Sequence, residues 1–234
     1  MSPPKTIHLL SGGAAQGLVT QLKSRFEEAD QCVLDGQFGA VGAMLDRLVA
    51  GVPCDAVILT HSLIDQLADL GHVVPGSARP LGIVKTGVAV KNGAPAPKVD
   101  TTSALKEALL AATGIYFPDP VRATAGIHFM KVLQELGLGE ELADRLRPFP
   151  NGATAMREMA ESADAGVIGC TQVTEILYTA GVQLVAPLPN EFELATVYTA
   201  AVCAKAGHPK TAAVLIGLLG SKDTEGLRKA AGFA

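Results

Sequence analysis

An α/β fold in two lobes is what this sequence predicts, and three observations predict it. Short apolar runs of strand type alternate with stretches whose apolar residues recur at helical spacing. Two longer β-rich segments, 83–90 and 196–202, lie beside proline-rich connections and split that alternation into a middle part and two flanks. Finally, 234 residues with 48% apolar and 18% charged side chains suit two packed lobes of about 110 residues each, not a solvated tail.

The elements follow in order. Ile7 to Leu10 is an apolar strand ending in Ser11-Gly12-Gly13, and Leu18, Leu22 and Phe26 then mark one face of a helix. Val41, Met44, Leu45, Leu48 and Val49 form a second stripe before Gly51, and Ala56 to Leu59 is a buried-type strand. The helix carrying Leu63, Ile64, Leu67 and Leu70 is capped by Gly71. Ile83 to Val90 reads as a long strand crossing into the second lobe, and Asn92 to Lys98 as an exposed connection. Next come a helix at 103–112, a strand at 115–117, a helix from Thr124, a helix around Met156 and Met159, and strands at 166–168 and 182–185. Thr196 to Val202 crosses back, and helices at 210–219 and 224–231 finish the chain. The expected lobes are therefore 1–83 with 195–234, and 84–194, joined by two hinge strands. Strand–helix alternation implies parallel pairing with helices on both sheet faces.

Composition narrows the partners. A net charge of −4, scattered Lys and Arg, no Trp and only 4% aromatics argue against nucleic acid. No apolar run reaches the roughly 18 residues of a spanning helix, so no membrane insertion is expected. Met1 to Lys5 runs straight into a strand without the regions of a secretion signal, so the sequence as it stands is expected to be cytoplasmic, or periplasmic if a signal has been removed. Cys32, Cys54, Cys170 and Cys203 have neither metal-type nor redox-type spacing and read as buried thiols, although two disulfides stay open. No two histidines have metal-ligand spacing on one element, and no Walker loop, dinucleotide fingerprint or nucleophile elbow occurs; neither metal nor cofactor is expected.

In open α/β sheets, ligands bind beyond the carboxyl ends of strands, where turns and helix starts present N–H groups. Four places have that form: Ser11-Gly12-Gly13, Phe38-Gly39-Ala40, Thr124-Ala125-Gly126, and Gly169-Cys170-Thr171-Gln172, the last read as a turn after a strand. One such turn is ordinary connection. Two from each expected lobe describe a donor-lined cleft suited to a small oxyanion.

Three segments, "FGAVGAMLDRLVAGVPCDAVILTHSLIDQL", "FPDPVRATAGIHFMKVLQELG" and "AGVIGCTQVTEILYTAGVQLVAPLP", with the order of elements around them, resemble the molybdate-binding branch of the type 2 periplasmic solute-binding proteins over almost the whole chain. The resemblance implies a two-lobed α/β fold, mixed sheets flanked by helices and two hinge strands. It further implies capture of an oxyanion in an interlobe cleft and, for an exported protein, a membrane transporter as partner. The hydroxyl and tyrosine ligands of that branch fall here on Ala14, on Ala40 or Val41, and on Gly169. Losing a tyrosine to glycine is expected to enlarge the pocket and leave a small ion's oxygens unpaired, at about 1–3 kcal/mol each. An organic di- or tricarboxylate is therefore expected in place of molybdate.

The same branch is similar to aconitate isomerase, which interconverts trans and cis unsaturated tricarboxylates. An activity of that kind needs an acid/base group and several carboxylate donors. The candidates are His128, one turn into the helix begun at Thr124; Glu175, whose plain alternative is a helix-surface carboxylate; His61, which follows Thr60 at a strand's carboxyl end; and Arg122, able to grip a carboxylate.

Overall fold

Pairing along β1 (Lys5–Gly12) organises the first part of the structure, a computed structural model that describes residues 4–234. After β1 come α1 (Gln16–Asp30), β2 (Cys32–Gly39), α2 (Val41–Val49), β3 (Ala56–Thr60), α3 (His61–Asp69) and the long β4 (Arg79–Lys91). The middle of the chain supplies α4 (Thr102–Ala111), β5 (Gly114–Pro118), α5 (Thr124–Glu135), β6 (Leu146–Phe149), α6 (Gly152–Glu161), β7 (Val167–Gln172), α7 (Val173–Tyr178) and β8 (Val182–Pro187). It ends with β9 (Ala195–Val202), α8 (Pro209–Leu219) and α9 (Glu225–Ala230). Two compact units result: residues up to Ile83 with Thr196–Ala234, and Val84–Ala195.

In the first unit the strand row is β2-β1-β3-β9. β1 runs parallel to β2 from Lys5↔Cys32 to Gly12↔Gly39 and parallel to β3 on its other side, while β9 is antiparallel to β3 from Ala56↔Val202 to Thr60↔Tyr198. Leu18, Leu22 and Phe26 of α1 are buried, as their four-residue spacing requires, and α1 packs on β2 and α8. β2 is a strand the sequence reading lacked. Its sequence, CVLDGQFG, buries only Cys32, Leu34 and Gly39, so its backbone ladder to β1 holds it in place more than its side chains do.

The second unit has the row β6-β5-β7-β4-β8, with β5 parallel to β6 and β7, and β4 antiparallel to both β7 and β8. Pairing is thus mixed, not purely parallel. Residues alternate between the two faces of this sheet as the pleat demands. Val88, Val90, Ile168, Cys170, Ile115 and Phe117 join Leu105 and Leu109 of α4 and Phe129, Val132 and Leu133 of α5 in one cluster. Ala89 and Val167 meet Met156 and Met159 of α6 and Ile176 of α7 in the other. β6 is the second strand the sequence reading lacked, four residues of which none is buried.

One expected turn is corrected here. Residues 169–172 are not a glycine turn but the last four residues of β7, because β4 lies alongside them with Ala89↔Gly169, Val88↔Cys170, Gly87↔Thr171 and Thr86↔Gln172.

Candidate ligand site

In the first unit, parallel register brings three carboxyl ends to one edge. Gly12 lies opposite Gly39, and Ser11 opposite Ile58, two residues short of Thr60. Each strand passes almost directly into a helix. The cap residues Ala15, Ala40 and Thr60 make no side-chain cap bond, so the first-turn N–H groups of α1, α2 and α3 receive no side-chain acceptor at their caps. Ser11, fully buried, donates its hydroxyl to Gly12 O at 2.9 Å, and Thr60 Oγ1 lies 3.2 Å from Ser62 Oγ. Gly13 opens the tight turn between β1 and α1. Gly12 and Gly39 are glycines for packing: an added Cβ would lie 2.8 Å from Val41 Cγ1 at the first and 2.9 Å from Met44 Cε at the second.

His61 begins α3. Its Nδ1 is 3.1 Å from Thr199 Oγ1 on β9 and its Nε2 3.6 Å from Asp65 Oδ2, while the ring keeps half its surface in solvent. The ring is therefore oriented by a buried hydroxyl and still open to exchange a proton.

In the second unit, Asp119 Oδ1 accepts the N–H groups of Val121 (2.7 Å) and Arg122 (3.0 Å) and shapes the loop that leads into α5. Arg122 is exposed there, and Thr124 is the first residue of a helix without a side-chain cap. Ala125 and Gly126 are buried. A Cβ on Gly126 would come within 2.3 Å of the Pro118 and Asp119 carbonyls, so this glycine lets the helix seat on the end of β5. His128 is half-buried, with Nε2 2.8 Å from Phe192 O; since a carbonyl only accepts, this nitrogen carries the proton and ties α5 to the turn at residues 190–192.

Glu175 is not on the surface. Its Oε2 accepts the Thr171 hydroxyl at 2.6 Å, and the backbone N–H groups of Ala153, Gly152 and Gln172 also point at the carboxyl. Burial pushes its pKa above the ordinary value, and these donors offset that only in part. The contact explains Gly152, where a Cβ would lie 2.0 Å from both Glu175 Oε2 and Thr171 Oγ1. The start of α6, with Asn151 accepting from Thr154 N at 2.8 Å, is a polar centre that the sequence reading missed.

Gly169 corrects the expectation of an enlarged pocket. A Cβ there would meet Met156 Cε at 2.5 Å and the sulfurs of Met156 and Met159 at 3.0 Å, so methionine fills the space. What distinguishes this end of β7 is Gln172. Its Nε2 and Oε1 are buried without a hydrogen-bond partner among the described residues, and so are Thr86 Oγ1 and Thr174 Oγ1. Thr86 and Gln172 are register partners, so both side chains leave the same sheet face. Neither Thr86 nor Thr174 was picked out from the sequence, although a threonine inside the apolar run IVKTGVAV is a visible signal.

Chemically, these sets provide N–H groups, hydroxyls and one primary amide. Among the described residues no group of three or more His, Cys, Asp or Glu is placed to hold a metal ion. Among the described residues no helix is long and apolar enough to cross a membrane.

Comparison with known proteins agrees with this architecture. The family model of bacterial extracellular solute-binding proteins matches residues 7–234. A curated relative, aconitate isomerase from Pseudomonas sp., is 28% identical over 232 residues, covering 94% of this chain and 84% of the relative. Among solved structures, the periplasmic molybdate-binding protein of Azotobacter vinelandii superposes with a TM-score of 0.80 at 19% identity, over 97% of this chain and 98% of the other. The sulfate-binding protein of Mycobacterium tuberculosis gives 0.74 at 17%, over 98% and 86%. The fold is thus the two-lobed, mixed α/β type of the periplasmic binding proteins.

Proposed function

For a chain that belongs to the bacterial extracellular solute-binding protein family, we propose capture of a small organic carboxylate on the donor-bearing strand ends described above, and its delivery to a membrane transporter. One observation carries the choice of ligand class: the buried, unpartnered amide of Gln172 beside its register partner Thr86. Whichever way that amide is turned, it presents a donor group, its NH2, and an acceptor, its carbonyl oxygen. A fully ionised oxyanion such as molybdate or sulfate offers acceptors only and leaves the amide oxygen unmatched. A hydroxy acid or a partly protonated polycarboxylic acid offers both. The alanines and the glycine at positions 14, 40 and 169 point the same way, since none supplies the side-chain hydroxyl used by molybdate binders. The starts of α1, α2, α3 and α5, whose cap residues supply no side-chain acceptor, suit the carboxylates themselves.

A thermal-shift series tests this reading, because a ligand held only by the folded protein raises the melting temperature once its concentration exceeds Kd. Citrate and malate, which carry a hydroxyl donor beside their carboxylates, are expected to raise it, with molybdate and sulfate silent. A shift with molybdate or sulfate and none with any carboxylate would overturn it.

The likeness to aconitate isomerase over nearly the whole chain favours a second reading, turnover of an unsaturated tricarboxylate. Of the acid/base candidates, His61 suits proton exchange best, because its ring is half in solvent at a strand's carboxyl end, whereas Glu175 is enclosed and the Nε2 of His128 is held by a carbonyl. Incubation with trans-aconitate decides between the two: formation of the cis isomer, lost in His61→Ala, supports the enzyme, and binding without turnover supports the carrier.

A further inference from the structure

Cys54 and Cys203 are buried free thiols of the first unit whose sulfurs lie 3.3 Å apart. They meet because β3 and β9 run antiparallel with Ala56 opposite Val202, which brings the residues just before β3 alongside those just after β9. Backbone bonding continues past the last rung, with Cys203 N donating to Asp55 O at 3.0 Å, so the two segments are already fixed side by side. We propose that Cys54 and Cys203 form a latent disulfide, closed by exchange with a low-molecular-weight disulfide. A disulfide needs its sulfurs at about 2.05 Å, so they must approach by about 1.2 Å.

Surroundings and chemistry agree with this. A cavity of about 130 Å³ lies against the pair, lined by both cysteines together with Pro53, His72 and Lys205. The Cys203 S–H donates to Cys54 Sγ; that bond lowers the Cys54 pKa and raises that of Cys203. The first attack falls to Cys54, the sulfur that accepts this bond. It displaces one thiol from the small disulfide and forms a mixed disulfide. Cys203 then gives up its proton and attacks the Cys54 sulfur, releasing the second thiol. Two hydrogens leave the protein, and one disulfide is reduced to two thiols.

The bridge would join residues 149 apart and enclose the whole second unit, Val84–Ala195, within its loop. A loop of that length constrains the unfolded chain strongly, so oxidation is expected to stabilise the fold. The other cysteines are differently placed. Cys170 is enclosed in the second unit's core, where burial pushes its thiol pKa far up, and Cys32 begins β2.

The test is to incubate the folded protein with excess oxidised glutathione, alkylate remaining thiols in denaturant and map the peptides. Two of the four thiols should be lost to a peptide joining Cys54 and Cys203. The melting temperature should rise by several degrees, and dithiothreitol should reverse both changes. In Cys203→Ala the reaction should stop at a glutathione adduct on Cys54; the wild-type map decides the matter even if that variant fails to fold. Four free thiols, a wild-type product that stops at the mixed disulfide, or a bridge to Cys32 or Cys170 would overturn the assignment. A Cys54–Cys203 bridge that leaves the melting temperature unchanged would overturn its stabilising role.

Discussion

Thr86 and Gln172 face each other across the antiparallel β4–β7 pair, and both carry buried side-chain polar atoms that no group among the described residues satisfies. A buried unpaired polar group costs about 1–3 kcal/mol, so this arrangement holds the fold below the stability its packing allows. Gln172→Leu removes both amide atoms at similar volume. The variant is expected to be more stable than wild type by about 1–2 kcal/mol in urea unfolding. Its affinity for the best carboxylate in the thermal-shift series should fall at least about tenfold by calorimetry. Equal loss of stability and affinity would mean that the amide only supports the fold.

Gly169 leads to a packing prediction. An alanine there would place its Cβ 2.5 Å from Met156 Cε, the mobile end of a long side chain, so the cost should be moderate, about 1–3 kcal/mol. Met156→Ala alone should lose about 2–4 kcal/mol by leaving a cavity. The double substitution should cost less than the sum, and the coupling in a double-mutant cycle measures the contact directly. Strict additivity would show that methionine does not fill the space beside Gly169.

How far the sequence reveals these features depends on what holds each one. α1 and β3 are legible because burial of Leu18, Leu22 and Phe26, and of all five residues of β3, follows the local period. β2 and β6 are not, because backbone pairing to β1 and β5 sustains strands whose own side chains are largely exposed. Gly169 to Gln172 resembles a turn until β4 is laid beside it. The donor-rich strand ends at Gly12, Gly39 and Thr60 could be read from glycine and hydroxyl punctuation alone. The meetings of Thr86 with Gln172 and of Cys54 with Cys203 could not, since each depends on antiparallel contacts between segments far apart in the chain. Glu175 read as a surface carboxylate for the same reason: the N–H groups that receive it belong largely to the start of α6.

Gly152 is the position where an added methyl group should do most harm. Its Cβ would lie 2.0 Å from both Glu175 Oε2 and Thr171 Oγ1, so Gly152→Ala must push the carboxyl out of the donor set that receives it. A buried carboxyl stripped of its partners is among the few causes of losses above about 3 kcal/mol, and that is the loss expected in urea unfolding of Gly152→Ala. Adding Glu175→Ala together with Thr171→Ala, which removes both clashing oxygens, should recover part of it. Gly152→Ala unfolding at the wild-type denaturant midpoint would show that α6 can shift to accommodate the methyl.

The same carboxyl sets a pH dependence whose sign follows from burial. Desolvation raises the Glu175 pKa in the folded protein above its ordinary value of 4.5, which the unfolded chain retains. Above 4.5 the unfolded chain releases a proton that the folded protein still holds, so this group's contribution is most favourable at low pH. It is lost progressively as pH rises through the folded pKa. Glu175→Gln cannot titrate, and although it loses acceptor capacity at every pH, that loss does not vary. Melting temperatures of both proteins from about pH 4 to pH 8 should therefore show the variant gaining on wild type as pH rises. Parallel curves would mean that the carboxyl has the same pKa in both states. A wild type that gains on the variant would mean that the hydroxyl of Thr171 and the three backbone N–H groups outweigh desolvation, and that the buried group is an anion at its ease.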